Sequence, residues 1–384
     1  MLSFAIKMII GDRAKFIGIL LGLTFSSFII TQQSGIFAGL MQRTYGFLTD
    51  TSQPDIWVME SAVQHIDDIK PFRSSKLYQT RSIEGVAWAV PLFKGLLKAK
   101  TSSGIFQQCN VIGIDDATLI GGPPYMLQGC IENLRYPDAI IVNRVGAQQK
   151  LYRTGPKGEH IPVQMGEVLE LNDRRAYIVG FCDTVRTFQS QPVVYTTYQR
   201  ALEFAPAERN LLSFILVKAA PGVDPKKLAK NIHEITGLSA YTRKEFRNLT
   251  LKYYLTKTGI PINFGFAVLL GFVIGTAIAG QTFYTYAHDN MRFFATFKAM
   301  GATNRLLIKM ILSQAMLTAT LGWSFGIGLT VLFGLYSSGT ELSFTFPWWL
   351  MLVSAIALYG ITLCAALMSV IKIIRLDPST VFQL

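Results

Sequence analysis

The stretch HDNMRFFATFKAMGATNRLLIK, residues 288–309, is basic and partly apolar, and it lies between two long uncharged runs. Residues 258–287 before it and 310–340 after it contain no Asp, Glu, Lys or Arg. Residues 16–42 and 342–371 are two more such windows. Each exceeds the ~20 residues that a helix rising ~1.5 Å per residue needs to cross ~30 Å of hydrocarbon. A buried helix in a soluble core is the other source of such runs, but four of this length point to a membrane. The expectation is an integral membrane α-helical protein with four transmembrane helices, at 16–42, 258–287, 310–336 and 346–371.

The remaining segments follow from these spans. Residues 1–15 are expected to form a short interfacial helix, with Leu2, Ile6, Ile9 and Ile10 on one side. The start is basic (Lys7, Arg13, Lys15), but the apolar run is long and no small-residue cleavage site follows, so the helix reads as uncleaved. Residues 43–257 form a large domain, 288–309 a connector and 372–384 a tail.

Only 16% of the residues are charged, and the formal net charge is +12. The short segments that would share one side carry Lys7, Arg13, Lys15, Arg292, Lys298, Arg305, Lys309, Lys372 and Arg375. The short loop at 337–346 holds Glu341 and no Lys or Arg. The positive-inside rule therefore places both termini in the cytoplasm and the large domain outside it. That topology accounts for much of the basic balance, so nucleic acid is not an expected partner.

The large domain reads as α+β. Residues 55–59 (DIWVM) and 86–99 read as strands, the second with a bend at Pro91. Residues 74–84 between them read as a helix. A strand at 211–218, a helix at 224–236 capped by Asp224 with Pro225 next, and a strand at 238–242 repeat that order. Two such halves suggest a split ferredoxin-like layer. Residues 105–205, with short strands and many turn signals, read as an inserted β-rich subdomain.

Small residues recur four apart in the spans, as Gly18 and Gly22 in the first and Gly271, Gly275 and Ala279 in the second. This spacing permits close helix pairing, either across a homodimer seam or against another span of the same chain, and the homodimer is the favoured expectation. Thr31, Gln32, Gln33 and Ser34 either line a polar route or lie in the interfacial zone. Trp348 and Trp349 suit an interfacial anchor. Cys109, Cys130 and Cys182 fall in the large domain and Cys364 in the last span, so one disulfide at most is possible and free thiols are the default.

No catalytic arrangement is legible. There is no G-x-x-x-x-G-K-[ST] loop, no H-E-x-x-H and no G-x-S-x-G. His65, His160, His233 and His288 are scattered. No metal site, cofactor or enzymatic activity is expected in this chain. The spans carry no ionisable side chain for proton or ion relay. Residues 288–309 then become the place where an external energy source could attach. Phe293, Phe294 and Phe297 would form an apolar knob, Gly301 would end its helix, and Thr303 would cap the next one. An amphipathic loop lying on the membrane explains the same pattern.

At 294–305 (FATFKAMGATNR), at Arg375-Leu376-Asp377-Pro378, and in the order span, large domain, three spans, the chain resembles the FtsX-like, or MacB-type, permeases of ABC transporters. Residues 55–59, 83–93 and 121–129 (GGPPYMLQG) look closest to heterocyst-type (DevC-like) exporter permeases. The resemblance implies a homodimer with two copies of a separate cytoplasmic ABC ATPase, which would bind ATP and Mg. It implies an ATPase-coupling interface at Phe293, Phe294, Phe297, Lys298, Ala299, Met300, Gly301 and Ala302. It further implies mechanotransmission to a MacB-like periplasmic domain and export or efflux of a lipid-like or amphiphilic substrate across the inner membrane. A periplasmic adaptor (membrane fusion protein) and an outer-membrane channel would complete a tripartite system. A transmembrane regulator of a cell-wall hydrolase is the alternative, and a permease acting on antimicrobial peptides, a type with more spans, a third.

Overall fold

The computed structural model describes residues 2–155, 158–206 and 212–374. The chain divides into two compact units, Met1–Leu40 with Gly259–Leu384, and Met41–Thr258.

In chain order the first elements are α1 (Leu2–Gly11), α2 (Arg13–Thr44), α3 (Gly46–Asp50), β1 (Ile56–Met59), α4 (Ser75–Arg81), β2 (Val86–Lys100), β3 (Phe106–Ile114) and β4 (Tyr125–Gln128). There follow β5 (Ala139–Asn143), α5 (Arg144–Gln149), β6 (Tyr152–Thr154), β7 (His160–Pro162), β8 (Val168–Leu171), β9 (Arg174–Asp183), β10 (Val193–Thr197) and α6 (Tyr198–Phe204). The chain continues through β11 (Phe214–Ala219), α7 (Pro225–Thr236), β12 (Ser239–Thr242), α8 (Arg243–Lys257), α9 (Ile260–Asp289), α10 (Met291–Ala299), α11 (Asn304–Ser337) and α12 (Trp348–Ile374).

Four of these helices, α2, α9, α11 and α12, are long and apolar enough to cross a membrane. All four lie wholly or mostly in the first unit. They pack through the small residues that the sequence singles out. A Cβ on Gly275 would stand 2.3 Å from Ser26 Oγ, and one on Gly271 3.1 Å from Ile29. One on Gly22 would meet Ile278 at 2.4 Å. Gly271 and Gly275 therefore seat α2 against α9 within the chain, which is the second of the two pairings that their spacing permits. Gly18 has open space around it and makes no such seam. From the other side, Gly322 and Gly326 of α11 admit Leu23 and Ser27 of α2. Phe344, in the loop before α12, lies against Gly35 of α2 and Gly334 of α11.

Several polar groups in this unit are matched locally, as the lack of water in hydrocarbon favours. Thr31 donates to the Ser27 carbonyl at 2.7 Å. Trp323 Nε1 donates to Ser354 Oγ at 3.2 Å, tying α11 to α12. Ile9 of α1 is buried in the core of the unit while Ile10 is about half exposed, so the two do not share one face. Trp348 and Trp349 are exposed.

The Met41–Thr258 unit is built on one sheet running β12-β1-β11-β2-β3-β10-β5-β9-β4. Each of its first four strands is antiparallel to its neighbour among them. Taken as β1-α4-β2 and β11-α7-β12, their order is fourth, first, third, second, which is the ferredoxin-like arrangement the two halves suggested. Asp224 caps α7 by accepting from Lys226 N at 3.0 Å, and Gly237 closes it with φ 71°. The helix α8 opens on a capping box between Thr242 and Glu245.

The inserted strands are not a separate layer. β2 pairs with β11 over its first half and with β3 over its second, so a single strand carries both parts of the sheet. It runs through Pro91, whose register partner is Ile215. One hydrophobic core takes in Trp57, Phe214 and Phe246 together with Ile112, Ile141 and Tyr195. The four cysteines are free thiols; Cys109 and Cys182 are buried and Cys130 and Cys364 exposed.

Candidate functional site

The connector between α9 and α11 is mostly helical. α9 ends at Asp289, α10 occupies Met291–Ala299, and α11 begins at Asn304. The third long helix thus starts before the uncharged window opens at Met310, placing Arg305 and Lys309 on its first turns. Gly301 has φ 92°, a left-handed conformation that side-chain-bearing residues rarely adopt. Its N–H donates to Lys298 O at 3.1 Å, and the next N–H, of Ala302, donates to Phe297 O at 2.9 Å. These bonds close the end of α10 and turn the chain into α11. Thr303 stands at the N-cap of α11 with extended backbone, but its side chain makes no capping hydrogen bond, which corrects the expected cap.

The three phenylalanines separate by burial. Phe294 is 1% exposed and belongs to the core of the helical unit, and Ala295 beside it is buried. Phe297 and Ala302 pack partly against that core. Phe293 is 56% exposed and Met300 77%. The knob is therefore smaller than expected: Phe293, Thr296 and Met300, at i, i+3 and i+7, share the open face with Ala299. Phe294 anchors the helix from the other side, a burial worth about 1.5–3 kcal/mol. Thr296 was not among the sequence candidates, although its spacing from Phe293 is the signal that would have found it.

Ion pairs and hydrogen bonds hold the ends of the spans beside this connector. Lys15 at the start of α2 bridges Asp12 at 2.6 Å and Asp289 at the end of α9 at 2.5 Å. Gln314 of α11 donates to the Tyr286 hydroxyl of α9 at 2.9 Å. Ser369 of α12 donates to the Phe283 carbonyl at 3.1 Å. The three contacts made to α9 did not stand out in the sequence, because their partners are 28 to 274 positions apart. They tie α9 to each of the other three spans, so a displacement of α10 acts on a connected bundle. Arg375, Leu376, Asp377 and Pro378 lie outside the described residues. Among the described residues, no group of three or more His, Cys, Asp or Glu side chains is arranged to hold a metal ion.

Fold and connector together define an integral membrane protein with four spanning helices and a large mixed α/β domain. Residues 263–378, which take in most of α9, the connector, α11 and α12, match the family described as FtsX-like permease C-terminal. The membrane-spanning C-terminal part of the chain is thus similar to the FtsX-like permeases, and the match does not extend over the large domain. No curated protein sequence matches it significantly. Among solved structures it is similar to the extracellular domain of the noncanonic ABC-type transporter YknZ from Gram-positive bacteria, at 12% identity and TM-score 0.35, over 49% of this chain and 98% of that one. It is also similar to the periplasmic region of MacB from Actinobacillus actinomycetemcomitans, at 12% identity and TM-score 0.38, over 52% of this chain and 92% of that one.

Proposed function

We propose that this permease couples ATP hydrolysis by a separate cytoplasmic ATPase to a conformational change of its Met41–Thr258 unit on the other side of the membrane. The ATPase seats on the open face of α10, and two permeases with two ATPase subunits make the working assembly. The change moves a lipid-like or amphiphilic substrate outward, with an adaptor and an outer-membrane channel as further partners. This chain contributes no catalytic residue, and ATP and Mg belong to the partner.

The observation that carries the reading is the split character of α10. One side is buried in the bundle and the other presents Phe293 and Met300 to solvent. A helix anchored in this way transmits a push instead of absorbing it, because packed interiors are close to incompressible. An exposed Phe and Met on a basic connector offer a partner groove an apolar anchor of the kind that dominates interface energetics.

The test places Asp at Phe293 or Met300 in the full permease, reconstituted with its ATPase in lipid discs. Permease-stimulated ATP turnover is expected to fall by an order of magnitude or more, as loss of one hot-spot anchor of about 2 kcal/mol implies. The variants should insert and unfold like the wild type. Phe294→Asp should instead destabilise the permease, because it buries an unpaired charge. Undiminished turnover in both surface variants would remove α10 as the docking site.

A further inference from the structure

The Met41–Thr258 unit contains a cavity of about 600 Å³ that the coupling scheme does not use. Lys94 in the middle of β2, and Leu96 and Asn110, which face each other across the β2–β3 ladder, line it from the sheet. His65, Phe188 and Tyr254 line it as an aromatic group: Phe188 and Tyr254 have ring centroids 4.9 Å apart, and His65 and Tyr254 5.4 Å. The volume is within the range of pockets that enclose a small organic ligand, about 300–1,000 Å³.

The charges around this cavity are already matched within the protein. The Lys94 side chain is 2% exposed and its ammonium is paired with Asp67. Asp68 is paired with Lys70 at 3.6 Å. Burial holds the pKa of His65 below its usual value, with Asp67 and Asp68 opposing that shift and Lys94 and Lys70 adding to it, so the imidazole is neutral at neutral pH. A charged ligand would find no counter-charge waiting.

Asn110 is different. The residue is 4% exposed, its backbone N–H donates to Pro192 O at 2.8 Å, and its side-chain Oδ1 has no hydrogen-bond partner in the protein. A leucine of nearly the same shape would fill that position in a buried strand without leaving a buried acceptor unmet. Oδ1 is itself covered, so a donor in the cavity would meet it when the Asn110 side chain turns towards the opening.

We propose that this cavity binds an uncharged amphiphile that offers a hydroxyl or amide N–H to Asn110 Oδ1 and lays an apolar body against Phe188, Tyr254 and Leu96. The site is independent of ATPase docking, and its occupancy is measured with no ATPase present.

The test uses the full chain in lipid discs, with empty discs as background, and saturation-transfer NMR to read weak binding. The probes share a phenyl ring. Phenyl β-D-glucoside carries hydroxyl donors and acetanilide an amide donor. Their methylated forms carry no donor, and phenyl phosphate and phenyltrimethylammonium carry charge. Transfer is expected to phenyl glucoside, acetanilide or both, which separates the hydroxyl from the amide source, and to be weaker for the donor-free and charged probes. Asn110→Leu should weaken it roughly fivefold, the value of one uncharged hydrogen bond, with an unfolding temperature no lower than wild type. Leu96→Trp, which narrows the mouth from a 42% exposed position, should abolish it and leaves the Asn110 core untouched. The proposal is overturned if no donor probe binds, if donor-free or charged probes bind as well, or if binding survives both substitutions.

Discussion

The α2–α11 contact permits a quantitative test, because two glycines two residues apart on α11 have opposite surroundings. A Cβ added at Gly326 would stand 2.4 Å from Ser27 Cβ and 3.0 Å from the backbone nitrogen of Phe28. At Gly328 nothing lies within 4 Å. Carbon atoms rest at about 3.5–4.0 Å, so Gly326→Ala forces α2 and α11 apart by roughly 1 Å or more. Neither Ser27 Cβ nor the Phe28 backbone can rotate away, since both are fixed by the helix. Overpacking of this kind costs about 1–3 kcal/mol. Both substitutions share the same intrinsic gain, about 0.5–1 kcal/mol for replacing a helical glycine by alanine. That gain cancels in the comparison. Gly328→Ala should be neutral or stabilising, and Gly326→Ala should fall below it by about 1–3 kcal/mol. Reversible SDS titration of the full chain in mixed micelles measures both. Equal stabilities, or a larger loss at Gly328, would refute the packing argument and reopen Gly326 as a contact for some other surface.

Three further outcomes are expected from the Met41–Thr258 unit. Thr242→Ala removes the capping box of α8, in which Thr242 N donates to Glu245 Oε2 at 3.0 Å and Glu245 N to Thr242 Oγ1 at 3.4 Å. It should cost about 1 kcal/mol and speed amide exchange in the first turn of α8, whereas Thr242→Ser should retain both. Burial pushes the carboxyl of Asp50 up to about 6; nearby Asp183 adds to the shift, and a hydrogen bond from Val185 N opposes it. Because the folded pKa lies above the unfolded one, the Asp50 contribution is full below pH ~4 and is lost as pH rises towards ~6, at no more than about 1.4 kcal/mol per pH unit. The stability difference between wild type and Asp50→Asn should therefore change across that window and level off above it; a difference flat from pH 4 to 7 would contradict the burial. Burial also pushes the thiols of Cys109 and Cys182 up to about 12, while Cys130 is exposed. A membrane-impermeant maleimide at neutral pH should label Cys130 on native protein and reach Cys109 and Cys182 only after unfolding, and early labelling of either would show an open core.

The sequence was most legible where a single physical demand acts on every residue of a segment. A helix in hydrocarbon must exclude charge along its whole length, so the four spans could be read directly from 16–42, 258–287, 310–340 and 342–371. The ferredoxin-like order was readable for a related reason. Asp224, Pro225 and Gly237 mark the ends of α7 by local backbone chemistry, and the strands beside it carry compact apolar runs. The Thr242–Glu245 signature of α8 was equally local and was missed.

Residues whose role depends on what faces them were not legible. Phe293 and Phe294 are adjacent and chemically identical, yet one is exposed and the other lies in the core, because successive helical positions point about 100° apart and only the neighbouring helices determine which direction is inward. The Gly271–Ala279 stripe announced close packing but not its partner, since a small surface admits any helix of suitable shape; the fold supplies Ser26 and Ile29 of α2. Nothing in the sequence marks Asn110 out within its β-rich segment, and its unmet acceptor becomes visible only in the folded sheet. The sequence by itself determined which segments cross the membrane and which local turns end the helices, because those properties depend on composition and short-range backbone geometry. Tertiary structure alone decided which faces are spent inside the chain and which remain open, because burial is a property of pairs of surfaces that lie far apart in the chain.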